Sequence, residues 1–282
     1  MGPMGAELDL IVAAVTGALA GGVAAPLTAP ADALADFWKG KILARLNRVH
    51  RSVERRRGED GTVVNERVAY KVLSEAAFTD DRVVSEYLAG VITGSRDGSD
   101  DGVPVLAEIG RLSTFQLRLH YILYRAAAKA NIGPGARVFL PMRELAASLD
   151  APGDPALGDR LMEAFTWLER EGLLPPSNGD GWGNDDAFRL VGDADFIVTH
   201  TGGERGEAHH HLPGQAGLLF TTAHHGAQLL KWACGLPDEN IAGLAPDELL
   251  DLSPAVPRCD ALPIEEFATI SYEERRSRFR TP

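Results

Sequence analysis

Apolar positions recur through the first half of the chain at the three-to-four-residue interval of a helix, while short continuous apolar runs appear only later. After Asp32 the series Leu34, Trp38, Ile42, Leu46, Val49 and Val53 keeps that interval until the glycines of residues 58–61 end it. Residues 63–77 place Val64, Val68, Val72, Leu73 and Ala76 on one helical face. Thr79, Asp80 and Asp81 then mark a new helix start, because side-chain oxygens cap free N–H groups and acids suit the positive end of a helix. That helix runs through Val83, Val84, Tyr87, Leu88, Val91 and Ile92 and stops at Gly94; a short one follows at 104–109.

The pattern changes after Ser113. A strong helix carries Phe115, Leu119, Ile122, Leu123 and Ala126 inward; residues 138–140 read as a short strand, and Pro141 opens a helix to Leu149. A further helix is expected over about 155–171, with Leu157, Leu161, Ala164, Phe165 and Leu168 buried and Gly172 at its end. Strands are expected from Leu173, over 188–191, 196–199 and 218–222. Helix, strand, helix, helix and hairpin strands is the order of a winged helix-turn-helix.

Charge divides the chain. Its 282 residues have a net charge of -12, yet residues 1–57 hold eight Lys or Arg against five acids, a balance of +3 that leaves -15 for the rest. The helix after Asp32 is therefore basic and amphipathic: Trp38, Lys41, Arg45, Arg48, Arg51, Arg55 and Arg56 are the candidate residues for an anionic surface or a partner. The bland alternative is a helix that pairs with the acidic remainder of the same protein. Before it, residues 10–31 are uncharged and near membrane-spanning length, but rich in Ala and Gly and interrupted by Pro26 and Pro30. Gly17 and Gly21 would admit close helix packing, so protein contact, membrane insertion and an unstructured arm all remain open. The helix expected over 155–171 is acidic: Arg160 and Arg170 face Asp154, Asp159, Glu163, Glu169 and Glu171, a balance of -3 that speaks against insertion beside DNA phosphates.

Candidate chemistry is sparse. Asp80, Asp81 and Glu86 are explained by capping for the first two and by surface exposure for the third. Six histidines fall within 200–225, but His209, His210 and His211 read as part of a long loop at 201–216, without a familiar zinc spacing, so neither metal nor other cofactor is assigned. Phosphate-loop, dinucleotide, nucleophile-elbow and kinase signatures are absent from the sequence, which favours a non-enzymatic role. Two cysteines make no disulfide framework and no signal peptide opens the chain, so the expected compartment is cytoplasmic, with peripheral contact at the inner membrane left open. The prolines at 237, 246, 254, 257 and 263 predict an extended strap holding a short helix at 246–252, followed by a basic end at 271–280.

Four segments, DFWKGKILARLNRV at 36–49, VLSEAAFTDDRVVSEYLAGVITG at 72–94, LAEIGRLSTFQLRLHYIL at 106–123 and LLFTTAHHGAQLLKWACG at 218–235, resemble the Abi-alpha family of abortive-infection proteins. Gln116 stands where that family has Asp, and Thr222 and Gly226 are one residue further apart than its usual spacing. The resemblance implies a helical protein with a winged-helix-like part, bacterial defence against phage, and no catalytic residues to carry over.

The fold expected is thus mainly α, with a helical N-terminal part followed by a winged-helix-like α+β unit and a small β-hairpin sheet. Its expected parts are residues 1–57, 58–112, 113–235 and a Pro-rich tail at 236–282. The expected function is a non-enzymatic defence protein working through self-association, membrane contact or a protein partner. The alternative is a winged-helix DNA-binding regulator that uses the basic helix at 39–57. Expected partners are a protein or a second copy of the chain, then an anionic membrane surface; net charge counts against nucleic acid.

Overall fold

A computed structural model describes residues 30–57, 65–95, 99–130, 134–135, 137–176, 188–192, 196–201, 206–211, 216–237, 262–263 and 269–270. For 30–39, Arg57, 196–201, 206–211, 262–263 and 269–270 the description covers the backbone. Most of the small-residue stretch at 10–31, the helix expected at 246–252 and the basic end lie outside the described residues. The protein is mainly helical and forms two compact units: residues 1–114 with 231–238, and residues 115–230 with 239–282.

Unit one contains α1 (Pro30–Arg57), α2 (Glu66–Ala76), α3 (Arg82–Gly94) and α4 (Gly102–Arg111). The expected apolar series packs inward: Leu46, Val49 and Val53 of α1, Val68, Val72 and Leu73 of α2, and Leu106 and Ile109 of α4 are all buried. α3 packs against α1, α2 and α4, and from Ser85 to Ile92 every residue is buried. A helix wrapped on several sides must be apolar nearly all round, which the VVSEYLAGVI run supplies apart from Ser85 and Glu86. Local chemistry sets the starts. The side chain of Asn65 accepts from Val68 N–H to cap α2, and Asp81 Oδ1 accepts from the N–H groups of Val83 and Val84 at 2.7 and 3.1 Å to cap α3. Gly90 is required for packing, because a Cβ there would collide with the backbone carbonyls of Trp232 and Ala233, which the chain returns to unit one.

Unit two begins with α5 (Thr114–Lys129), followed by β1 (Arg137–Pro141), α6 (Met142–Ser148) and α7 (Leu157–Arg170). Then come β2 (Phe188–Val191), β3 (Phe196–Thr201), β4 (Gly206–His211) and β5 (Gly217–Thr221). α8 (His224–Cys234) starts in this unit and ends in the other, and β6 (Leu262–Pro263) and β7 (Thr269–Ile270) complete the strands. β2, β5, β1 and β6 lie side by side in that order, antiparallel throughout, with Phe139 opposite Leu219 and Leu140 opposite Leu218. Val138, Phe139 and Leu140 are fully buried, as a short central strand of continuous apolar residues requires. α7 buries Leu157, Leu161, Ala164, Phe165 and Leu168, the expected face.

Two local expectations change. No strand begins at Leu173: after α7 the N–H of Gly172 bonds to Glu169 O and that of Leu173 to Leu168 O, closing the helix with a left-handed glycine and burying Leu173 and Leu174 beneath it. The stretch expected as a loop at 201–216 contains β4, which pairs along its length with β3 and also with β7. GEAHHH has little strand preference of its own; partners on both sides supply what propensity does not.

Candidate interaction surfaces

The arginines of α1 meet the start and the first turn of α3. Arg45 is only 8% exposed; its Nε and Nη2 donate to the two carboxylate oxygens of Asp80 at 2.7 and 2.5 Å, and Nη1 donates to Ala77 O at 2.8 Å. This two-pronged bond holds the Asp80 carboxyl below its usual range, and the Arg45 guanidinium above its own. Arg48 Nη1 donates to Asp80 O at 2.6 Å. One turn and a half further along, Glu86 accepts from Ser52 Oγ at 2.7 Å, Arg55 Nη2 at 2.9 Å and Arg56 Nη2 at 2.7 Å, while Arg56 Nη1 reaches the Glu86 carbonyl at 2.9 Å. Glu86 is therefore not the exposed carboxylate expected from sequence; it is buried, and lies among donors because α3 is enclosed.

Of the seven residues singled out in the basic helix, Arg45, Arg48, Arg55 and Arg56 thus bond within unit one. Arg51 is exposed and donates to Asn47 O at 3.2 Å in its own helix; Lys41 is exposed; Trp38 lies on the part of α1 described by its backbone. Of the two acids expected to cap α3 only Asp81 does so; Asp80, just before it, pairs with Arg45 instead.

The outward face of α7 differs. At 100° per residue, Asp159, Glu163, Thr166 and Arg170 form the middle of the side opposite Leu161 and Leu168, with Met162 at one edge and Trp167 at the other. Met162 is 44% exposed and Trp167 37%. Both cations of this helix have local company: Arg160 bonds Asp154 at 3.0 Å and lies over the Phe115 ring at 4.3 Å, and Arg170 lies over the Trp167 ring at 5.0 Å. Asp159 and Glu163 remain exposed at the centre. An indole edge beside exposed carboxylates suits a protein surface with basic and apolar groups, and repels phosphate.

A buried polar group ties α5 to the start of α8. Tyr124 Oη donates to Leu173 O and accepts from Ala223 N–H at 2.9 Å; His120 stacks on Tyr124 with ring centroids 4.6 Å apart, and its Nε2 lies 2.9 Å from Gly226 O. The partner is an acceptor, so Nε2 carries the proton of a neutral ring. Complete burial pushes the His120 pKa down to about 3, burial raises the Tyr124 phenol well above its usual value, and burial pushes the Cys234 thiol up to about 12. Each shift stems first from desolvation and favours the neutral form, which suits packing and not nucleophilic attack at neutral pH. Gly226 has no room for a side chain: a Cβ would overlap Tyr124 Oη and the carbonyl of Leu173.

Among the residues whose side chains are described, no group of three His, Cys, Asp or Glu is placed to hold a metal ion, and among the described residues no helix is long and apolar enough to cross a membrane. Comparison with known proteins found no matching family, curated protein or solved structure.

Proposed function

We propose that the chain is a non-enzymatic interaction protein whose second unit is a winged helix that holds a protein partner at the outward face of α7. Support for the winged-helix reading is the order α5, β1, α6, α7, β2, β5 together with the antiparallel adjacency β2-β5-β1. The observation that carries the partner reading is Trp167, exposed beside Asp159 and Glu163 on the helix that such folds use for recognition. Aromatic anchors with a polar surround are what protein interfaces use. The pairing of Arg45, Arg48, Arg55 and Arg56 within unit one weighs against α1 as a nucleic-acid or membrane surface. A role in bacterial defence against phage rests on the sequence resemblance.

A photo-crosslinking residue placed at Thr166 in the full-length chain, expressed in bacteria, is expected to trap one protein, either a second copy or another species. Trp167→Ala is expected to abolish that product, with about a thirtyfold loss of affinity for the purified partner, the effect of removing a hot-spot tryptophan. An unchanged product in Trp167→Ala, or steeply salt-dependent DNA binding lost on neutralising Arg45, Arg48 and Arg51, would overturn the reading. Equal phage plating with and without the protein would remove the defence role.

A further inference from the structure

The histidines at 200–211 acquire an arrangement once β4 is a strand. In the antiparallel ribbon His200 is directly opposite Glu207, Val198 opposite His209, and Phe196 opposite His211. Opposed residues share a face, as do alternate residues of one strand, so His200, Glu207, His209 and His211 occupy one face of the ribbon, and His210 the other. We propose that the juxtaposition of His200, Glu207 and His209 forms a binding site for a divalent transition-metal ion.

The register makes these three the compact set. Directly opposed positions are about 5 Å apart and diagonal ones about 7–8 Å, and positions two apart on a strand are about 6.7 Å apart. Backbone positions at those spacings are compatible with a single ion held by two His and one Glu residue. His211 is two register steps from His200 and falls outside the triangle. A set of two His and one Glu residue suits zinc, nickel, cobalt or iron over magnesium and calcium. At His209 the strand β4 is paired on both sides, with Val198 on β3 and Ile270 on β7, while Glu207 pairs with His200 on β3. Adjacent histidines looked unhelpful in sequence because His209, His210 and His211 do not all share a face; the useful spacing is 207 to 209 with a partner across the ribbon.

Titrating the untagged full-length chain with Zn2+ by calorimetry is expected to show one saturable equivalent that excess Mg2+ does not displace. His200→Ala, Glu207→Ala and His209→Ala are each expected to weaken it at least tenfold, as loss of a metal ligand exceeds the roughly 10–100-fold cost of losing a group behind one. His210→Ala is expected to leave it unchanged. Glu207→Gln, of nearly the same size without the anionic ligand, carries the test where an alanine variant loses the ribbon. No saturable binding, an equal loss in His210→Ala, or a loss confined to His224→Ala and His225→Ala would overturn the site.

Discussion

Two carboxylates of unit one accept arginines from the same helix and yet differ in what they contribute. Asp80 is paired at the surface, its side chain 69% exposed, where water and salt screen it; Glu86 is 10% exposed and shares its oxygens with Ser52, Arg55 and Arg56. Chemical denaturation is expected to register little loss for Asp80→Asn, whose carboxylate lies in water. For Glu86→Gln the expected loss is about 3 kcal/mol, since Arg56 would stay buried without its counter-charge. Reversal of that order would show that the exposed Arg45–Asp80 pair outweighs the buried Glu86 cluster in holding α1. His120 offers a second measurement at this scale. Its pKa is about 3 folded and about 6.5 unfolded, so between those values the unfolded chain binds the extra proton and stability falls as pH falls. The slope attributable to this group approaches about 1.4 kcal/mol per pH unit. His120→Gln, which keeps an N–H donor toward Gly226 O, is expected to show a shallower decline between pH 6 and 4 than the parent chain; parallel curves would mean that the ring is not held neutral.

Between helices, contact is set by what lacks a side chain. At Gly226 the backbone of α8 comes against Tyr124, and at Gly90 the backbone of α3 comes against that of α8's last turn. Gly226→Ala and Gly90→Ala are each expected to lower stability by about 1–3 kcal/mol, the usual cost of overpacking, read as a shift in the denaturation midpoint. These close approaches were invisible in sequence, because a glycine inside a helix pattern reads only as a weak position. Periodicity fared better for α1, α2 and α7, whose buried faces follow from 3.6-residue spacing, than for α3 and α5, which are buried nearly all round, since one inward stripe per helix is all that spacing encodes. What it could not encode was the side on which a second element packs. Glu86 looked exposed because α3 was read with a single buried face, and β4 looked like a loop because its strand character comes from β3 and β7. The arginines of α1 are candidates for an anionic surface or a partner on sequence alone, and the pairing of four of them with Asp80 and Glu86 depends on which helix lies alongside.

At the scale of the whole molecule, the charge split has a local resolution. Two of the three excess positive charges of residues 1–57 are offset within unit one at Asp80 and Glu86, while the exposed carboxylates of α7 stay at the surface of unit two. Unit one is also discontinuous in sequence, drawing Lys231–Asp238 from the far side of residues 115–230. A chain ending at Thr114 lacks the segment that covers Gly90 and is expected to unfold at a lower denaturant concentration than unit one does in the full protein, as followed by hydrogen exchange at α3. Synthesis imposes the same condition on time. At about 5–20 residues per second, the ribosome needs on the order of ten seconds to make the intervening stretch. Throughout that interval α3 is finished without its last neighbour, so unit one must wait for its closing piece while most of unit two is made.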